Sequence, residues 1–115
     1  ASIIVMITYG ETAFLLTGDA PRSVERYLAS LYGASLGADV LKAGHHGSRT
    51  STDELFLGYA APSYAVISAG KDNRYGHPHT EVLELLERFG AEIIQTSESG
   101  TVIFKSDGKR VERHP

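Results

Sequence analysis

Short apolar runs that each stop at a glycine and an ion-binding side chain constrain this chain more than any other feature. Leu15-Leu16-Thr17-Gly18-Asp19 is one such run, and Leu41-Lys42-Ala43-Gly44-His45-His46-Gly47-Ser48 repeats its arrangement. In each, a strand ends, a glycine lets backbone approach closely, and a carboxylate or imidazole follows. Tyr64 to Ser68 is another buried strand, ending at Ala69-Gly70 before the polar loop from Lys71 to His79. Helical spacing fills the intervals. Pro21 fits the first turn of a helix reaching about Tyr32, with Val24, Leu28 and Leu31 on one face. Ser51 and Glu54 form a capping box that starts a helix of about eight residues, stopped by Pro62. Thr80 is expected to cap a last helix with Val82, Leu85, Leu86 and Phe89 on its apolar face, closed by Gly90.

The remaining segments read as strands. Ile3 to Tyr9 is mostly β-branched and apolar, which suits a strand buried on both faces. It turns at Gly10-Glu11 into Thr12–Leu16, forming a hairpin. Ala38 to Ala43 feeds the histidines. Glu92 to Thr96, Gly100 to Lys105 and Lys109 to Arg113 follow, with turns at Ser97-Glu98-Ser99-Gly100 and Asp107-Gly108. The order β-β-α-β-α-β-α-β-β-β is an α/β layer arrangement with about three helices and a mixed sheet. The 115 residues suffice for one modest domain. A strand-like run directly after Ala1 marks the chain, on this reading, as an excised piece of a longer protein. A net charge of −3 supplies no global field for nucleic acid, so a phosphate-bearing partner must be held locally. Without cysteine there is no disulfide, thiolate site or cysteine nucleophile. No apolar run approaches the ~20 residues of a membrane-spanning helix.

Asp19, His45, His46, His77 and His79 all fall in loops at strand ends, where sites in α/β sheets collect. Four of the five histidines lie in two short clusters, which scatter would rarely produce. A carboxylate with imidazoles and no sulfur is the ligand set of a hydrolytic divalent-metal site. Two plainer readings stay open: Asp19 as the N-cap of the helix ahead of Pro21, and His45-His46 as an exposed turn. Ser48 belongs to a hydroxyl-rich loop suited to an anion. Lys42, just before the histidine pair, is either a charge-balancing group or an ordinary edge lysine. Lys71, Arg74, Tyr75, His77 and His79 offer charge, a stacking face and imidazoles, as phosphate and base contacts require; a solvated loop has the same composition. Of the two histidines there, His77 in Gly-His-Pro is the more constrained.

With Leu-Leu-Thr-Gly-Asp at 15–19, Leu-Lys-Ala-Gly-His-His-Gly-Ser at 41–48 and Asn-Arg-Tyr-Gly-His-Pro-His at 73–79, the chain resembles the metallo-β-lactamase superfamily. Within it, the likeness is to the C-terminal hydrolase-like domain of the ComEC family of DNA-internalisation competence proteins. The resemblance covers nearly the whole chain. It implies that Asp19 bridges two metals, Zn²⁺ or Mn²⁺, and that one histidine of the pair, His46 ahead of His45, is a terminal ligand. It makes His77 a phosphate-contact or proton-transfer group. Lys42, Ser48, Arg74, His77 and His79 become candidate substrate contacts. The superfamily's His-x-His-x-Asp-His cluster is missing here, so residues 1–115 correspond to the second half of an αβ/βα sandwich and hold about two ligands of a larger site.

The implied function is part of a phosphodiesterase- or nuclease-type hydrolase that degrades DNA during uptake, inactive as this piece alone. The alternatives are a non-catalytic DNA- or partner-binding module that kept the fold, and a piece of a standalone metallo-hydrolase. The implied location is a domain of a bacterial cell-membrane protein on its extracytoplasmic side, touching the membrane only through the parent. The N-terminal half of the domain is one expected partner. Ile3, Val5, Ile7, Val66, Ile67, Val102 and Phe104 are candidates for the apolar face it would cover, and in its absence a homodimer joined sheet to sheet is expected.

Overall fold

A computed structural model describes residues 3–43, 53–68 and 78–114. Its frame is a five-stranded mixed sheet in the order β1-β2-β3-β4-β5, formed by Val5–Tyr9, Thr12–Leu16, Val40–Lys42, Tyr64–Ile67 and Glu92–Gln95. β1 and β2 are antiparallel, joined by a tight turn at Gly10-Glu11; β2 through β5 run parallel. Parallel neighbours need crossovers. These carry α1 (Arg22–Tyr32), α2 (Glu54–Ala60) and α3 (Thr80–Arg88). A second sheet, β6 (Ile103–Ser106) with β7 (Val111–His114), is an antiparallel hairpin. The expected α/β class is therefore what the chain adopts.

The strand register divides the main sheet into two faces. Leu15, Leu41, Ala65 and Ile67 point to the helical side, where they pack with Ala29, Phe56, Leu57, Val82 and Leu86 in the core. The helix faces differ in part from expectation. α3 buries Val82 and Leu86 with Leu85 and Phe89 packed against the core, as its spacing predicts. α1 instead buries Glu25 and Ala29, leaving Val24 and Leu31 exposed. Ala29 is small enough for close approach to the sheet, and Glu25 is satisfied by a hydrogen bond described below. Asp53, not Ser51, is the N-cap of α2, its side chain accepting the Phe56 N–H. Thr80 is the first helical residue of α3 and His79 precedes it as the cap position. Ser97 lies in a single helical turn, α4 (Thr96–Ser99), where a plain turn was expected.

The opposite face is covered only in part. The β6–β7 hairpin lies over the start of the strands: the Phe104 and Tyr64 rings meet at 5.1 Å, and Ser106 reaches Thr12. Toward the strand ends this face stays open. Val5 and Ile7 are 40% and 51% exposed, so β1 is an edge strand and not one buried on both faces. Its composition suits a buried strand, but only Ile4 and Met6, on the helical side, meet the core. Two residues expected on the open face do not belong there. Ile67 is fully buried under the helices, and Phe104 covers Tyr64.

Asp107 closes the β6–β7 turn by accepting the N–H groups of Arg110 and Lys109, both at 2.8 Å. Those two bonds, Arg110's the larger effect, hold its carboxyl below the ordinary aspartate range. A folded-state pKa below the unfolded one contributes stability at pH values above the unfolded pKa. That contribution disappears as pH falls through the folded pKa. A carboxyl-carbon NMR titration should find the Asp107 midpoint below that of an aspartate in the urea-unfolded chain; equal midpoints would contradict the turn.

Candidate functional site

The parallel register aligns Leu16, Lys42 and Val66, so β2, β3 and β4 finish along one rim. At that rim the end of β2 is tied to β3. Thr17, fully buried, donates its hydroxyl to the Lys42 carbonyl at 2.9 Å. Gly18 then takes φ +56, and a Cβ there would lie 3.0 Å from the Ile3 carbonyl oxygen. That conformation is costly for any residue with a Cβ. Ala20 is buried and returns its N–H to the Thr17 carbonyl at 3.1 Å. Thr17 and Ala20 are thus fixed inside the fold, and Asp19 between them stands exposed at the rim.

The cap reading of Asp19 does not hold. α1 begins after Pro21 with no side-chain cap bond, and among the described residues Asp19 has no hydrogen-bond partner. Its carboxylate oxygens are accordingly open to an outside ligand. Lys42 is not an edge lysine, since β3 is the middle strand of five. It lies half-exposed on the open face, in a cross-strand row with Val5, Leu16, Val66 and Ile94. A cationic side chain in an otherwise aliphatic row extends its stem along apolar surface and carries its ammonium to the margin. His79 is half-exposed at the entrance to α3, where its carbonyl accepts the Val82 and Leu83 N–H groups. His45, His46, Ser48, Arg74 and His77 lie outside the described residues. Among the described residues, no group of three or more His, Asp or Glu side chains gathers to hold a metal ion.

Sequence reasoning missed Thr17, Glu25 and Asp53. Glu25 is 1% exposed on α1, and its Oε1 accepts the Asp53 N–H at 2.5 Å. Asp53, 2% exposed, accepts the Phe56 N–H at 3.1 Å and the Arg26 guanidinium at 3.0 Å. An aspartate directly before Glu54-Leu55-Phe56 is as good a cap signal as the serine two residues earlier. Nothing in the sequence marks Glu25, because a glutamate in a helix usually faces water.

No protein-family model matches the chain. It is 40% identical over 105 residues to ComE operon protein 3 of Bacillus subtilis, a match covering 91% of this chain and 13% of that protein. Recombination protein 2 of Haemophilus influenzae is 40% identical over 101 residues, covering 88% of this chain and 12% of the relative. Competence protein ComA of Neisseria gonorrhoeae is 38% identical over 103 residues, covering 90% and 15%. The chain therefore spans only about an eighth of the length of the curated relatives it matches. At these identities, over about nine-tenths of its length, it is homologous to a segment of each.

Proposed function

We propose that this chain is the second half of a metallo-β-lactamase-type αβ/βα sandwich in a ComEC-like DNA-uptake protein, and that it supplies part of a divalent-metal phosphodiesterase site. One observation carries the reading: the Thr17–Lys42 tie fixes an uncapped, exposed carboxylate, Asp19, at the strand-end rim from which the His45–His46 segment departs. The relatives support the setting, since one is named a competence protein and another a recombination protein. Open carboxylate oxygens beside imidazoles suit Zn²⁺ or Mn²⁺, with Asp19, His46 and His45 as the ligands from this half. When bound, such an ion polarises the phosphoryl group and acidifies a water molecule.

The chain's own residues position and balance charge. Thr17 and Gly18 hold Asp19 at the rim. Lys42 sets a cation beside the phosphoryl group, where developing negative charge is stabilised. Ser48, Arg74 and His79 contact the DNA phosphates, and His77 contacts the phosphoryl group or moves a proton. The test is Mn²⁺-dependent cleavage of DNA by the full-length protein. Asp19→Asn, which keeps the shape and removes the charge, should reduce the rate by at least about two orders of magnitude. A full-length protein that binds DNA but cleaves none under any divalent metal would favour the non-catalytic module instead.

The open sheet face is the surface proposed for the preceding half of the sandwich. Val5 and Ile7, with Leu16 and Val66 beside them, leave a strip of aliphatic side chains across three strands. Separated from the rest of the protein, residues 1–115 are expected to pair through this face with a second copy. Light scattering should show a mass above 12.4 kDa that falls on dilution and in Ile7→Lys. A constant monomer mass at micromolar concentration would remove the dimer.

A further inference from the structure

We propose that Glu25 is a positioning residue that fixes the exit of the His45–His46 segment, and with it the imidazoles, relative to Asp19. The proposal rests on the metal-site reading above and names a residue that no motif contains. Residues 44–52 join two anchored points. On the entry side Ala43 is buried, with its N–H on the Val66 carbonyl at 2.9 Å. On the exit side Asp53 is buried, with its N–H on Glu25 Oε1. The entry anchor belongs to the sheet. The exit anchor belongs to α1, the helix that begins three residues after Asp19.

The same helix therefore carries the Asp19 loop at its start and holds the far end of the histidine segment one turn later. Arg26, the next residue, clamps the Asp53 side chain through Nε at 3.1 Å, while Asp53 turns its other oxygen to the Phe56 N–H. Two adjacent carboxylates buried in this way are an expensive means of stabilising a fold. Leucine would fill the Glu25 position with less desolvation but would leave the Asp53 N–H unsatisfied. What a carboxylate contributes here is a fixed acceptor for one backbone N–H at the end of a loop. Groups that orient metal ligands from outside the coordination shell act in this way.

The experiment uses the full-length protein and Mn²⁺ alone, with affinity read from the EPR signal of free ion. Glu25→Gln keeps an acceptor oxygen and should bind within about threefold of the wild type, whereas Glu25→Ala should weaken binding by about ten-fold or more. If Glu25→Ala does not fold, Glu25→Asp replaces it, withdrawing the carboxylate by one methylene. Gly108→Ala, which destabilises the remote hairpin, is the control and should leave affinity unchanged. The second readout needs no metal: imidazole ¹H–¹⁵N resonances of His45 and His46 should move in Glu25→Ala or Glu25→Asp and return in Glu25→Gln. Unmoved resonances overturn the proposal, as does equal loss of affinity in Glu25→Gln and Glu25→Ala, or in Gly108→Ala. If the wild type binds no Mn²⁺, the metal reading fails by itself. The resonances then decide Glu25, moved supporting its role and unmoved refuting it.

Discussion

Gly10→Ala should cost this chain about 3 kcal/mol of stability, combining the left-handed backbone penalty with overpacking. Gly10 takes φ +58, and a Cβ added there would sit 2.4 Å from the Gly108 carbonyl oxygen. That oxygen cannot withdraw, because it accepts the Glu11 N–H at 2.6 Å. Next to it, the Thr12 hydroxyl donates to the Tyr9 carbonyl at 2.7 Å, so its contact with Ser106 at 2.6 Å is made by the serine proton. Ser106 in turn accepts the Gly108 N–H. An alanine must therefore push the hairpin off the sheet or distort the β1–β2 turn. Urea titration should register the change as a shift of the midpoint, and thermal unfolding as a fall on the order of 15 °C. Gly108→Ala is the comparison. At φ +93 its Cβ would meet nothing closer than 3.6 Å, so only the backbone penalty of about 1–2 kcal/mol applies. Equal losses in the two variants would show that the hairpin is not seated against Gly10.

Asp53→Ala should have the next largest effect, about 2 kcal/mol, from the lost cap of α2 and the released Arg26. Most of that belongs to the cap, because the guanidinium is largely exposed and its ion pair is correspondingly screened. Asp53→Ser restores a hydroxyl acceptor for the Phe56 N–H and should recover about 1 kcal/mol. Ser51→Ala should change α2 by less than about 0.5 kcal/mol. Hydrogen exchange at the Phe56 amide checks the assignment directly: it should accelerate in Asp53→Ala and stay protected in Ser51→Ala. The reverse pattern would return the cap to the serine.

The capping residue shows where sequence reading reached its limit. Spacing marked a helix start within two residues of the true one, because Ser51-x-x-Glu54 and Asp53 are both good signals. Choosing between them needed the tertiary contacts of Asp53 with Glu25 and Arg26. The strands were legible because apolar runs bounded by glycine have few alternatives, and Thr12–Leu16 was read to the residue. The edge position of β1 was not legible, since an apolar strand covered on one face reads like one covered on both. For the site, a glycine and an acid after an apolar run were sufficient to single out Asp19. The buried hydroxyl of Thr17 and the buried carboxylate of Glu25 act through backbone groups distant in sequence, and local pattern carries no trace of such partners.

The Thr12–Ser106 hydrogen bond joins residues 94 apart, so it has a meaning for the order of folding. Bringing together points that far along a chain costs more closure entropy than forming any of the β-α-β crossovers. The parallel core can assemble from nearer contacts first, and the hairpin then finds its seat on a sheet already in place. By the same reasoning the hairpin is the unit that can leave without the rest unfolding. Its departure would bare the Tyr64 ring and lengthen the open apolar strip from the rim down to the start of the strands. The second sheet thus acts as a removable cover, and the Gly10–Gly108 contact is the catch that holds it shut.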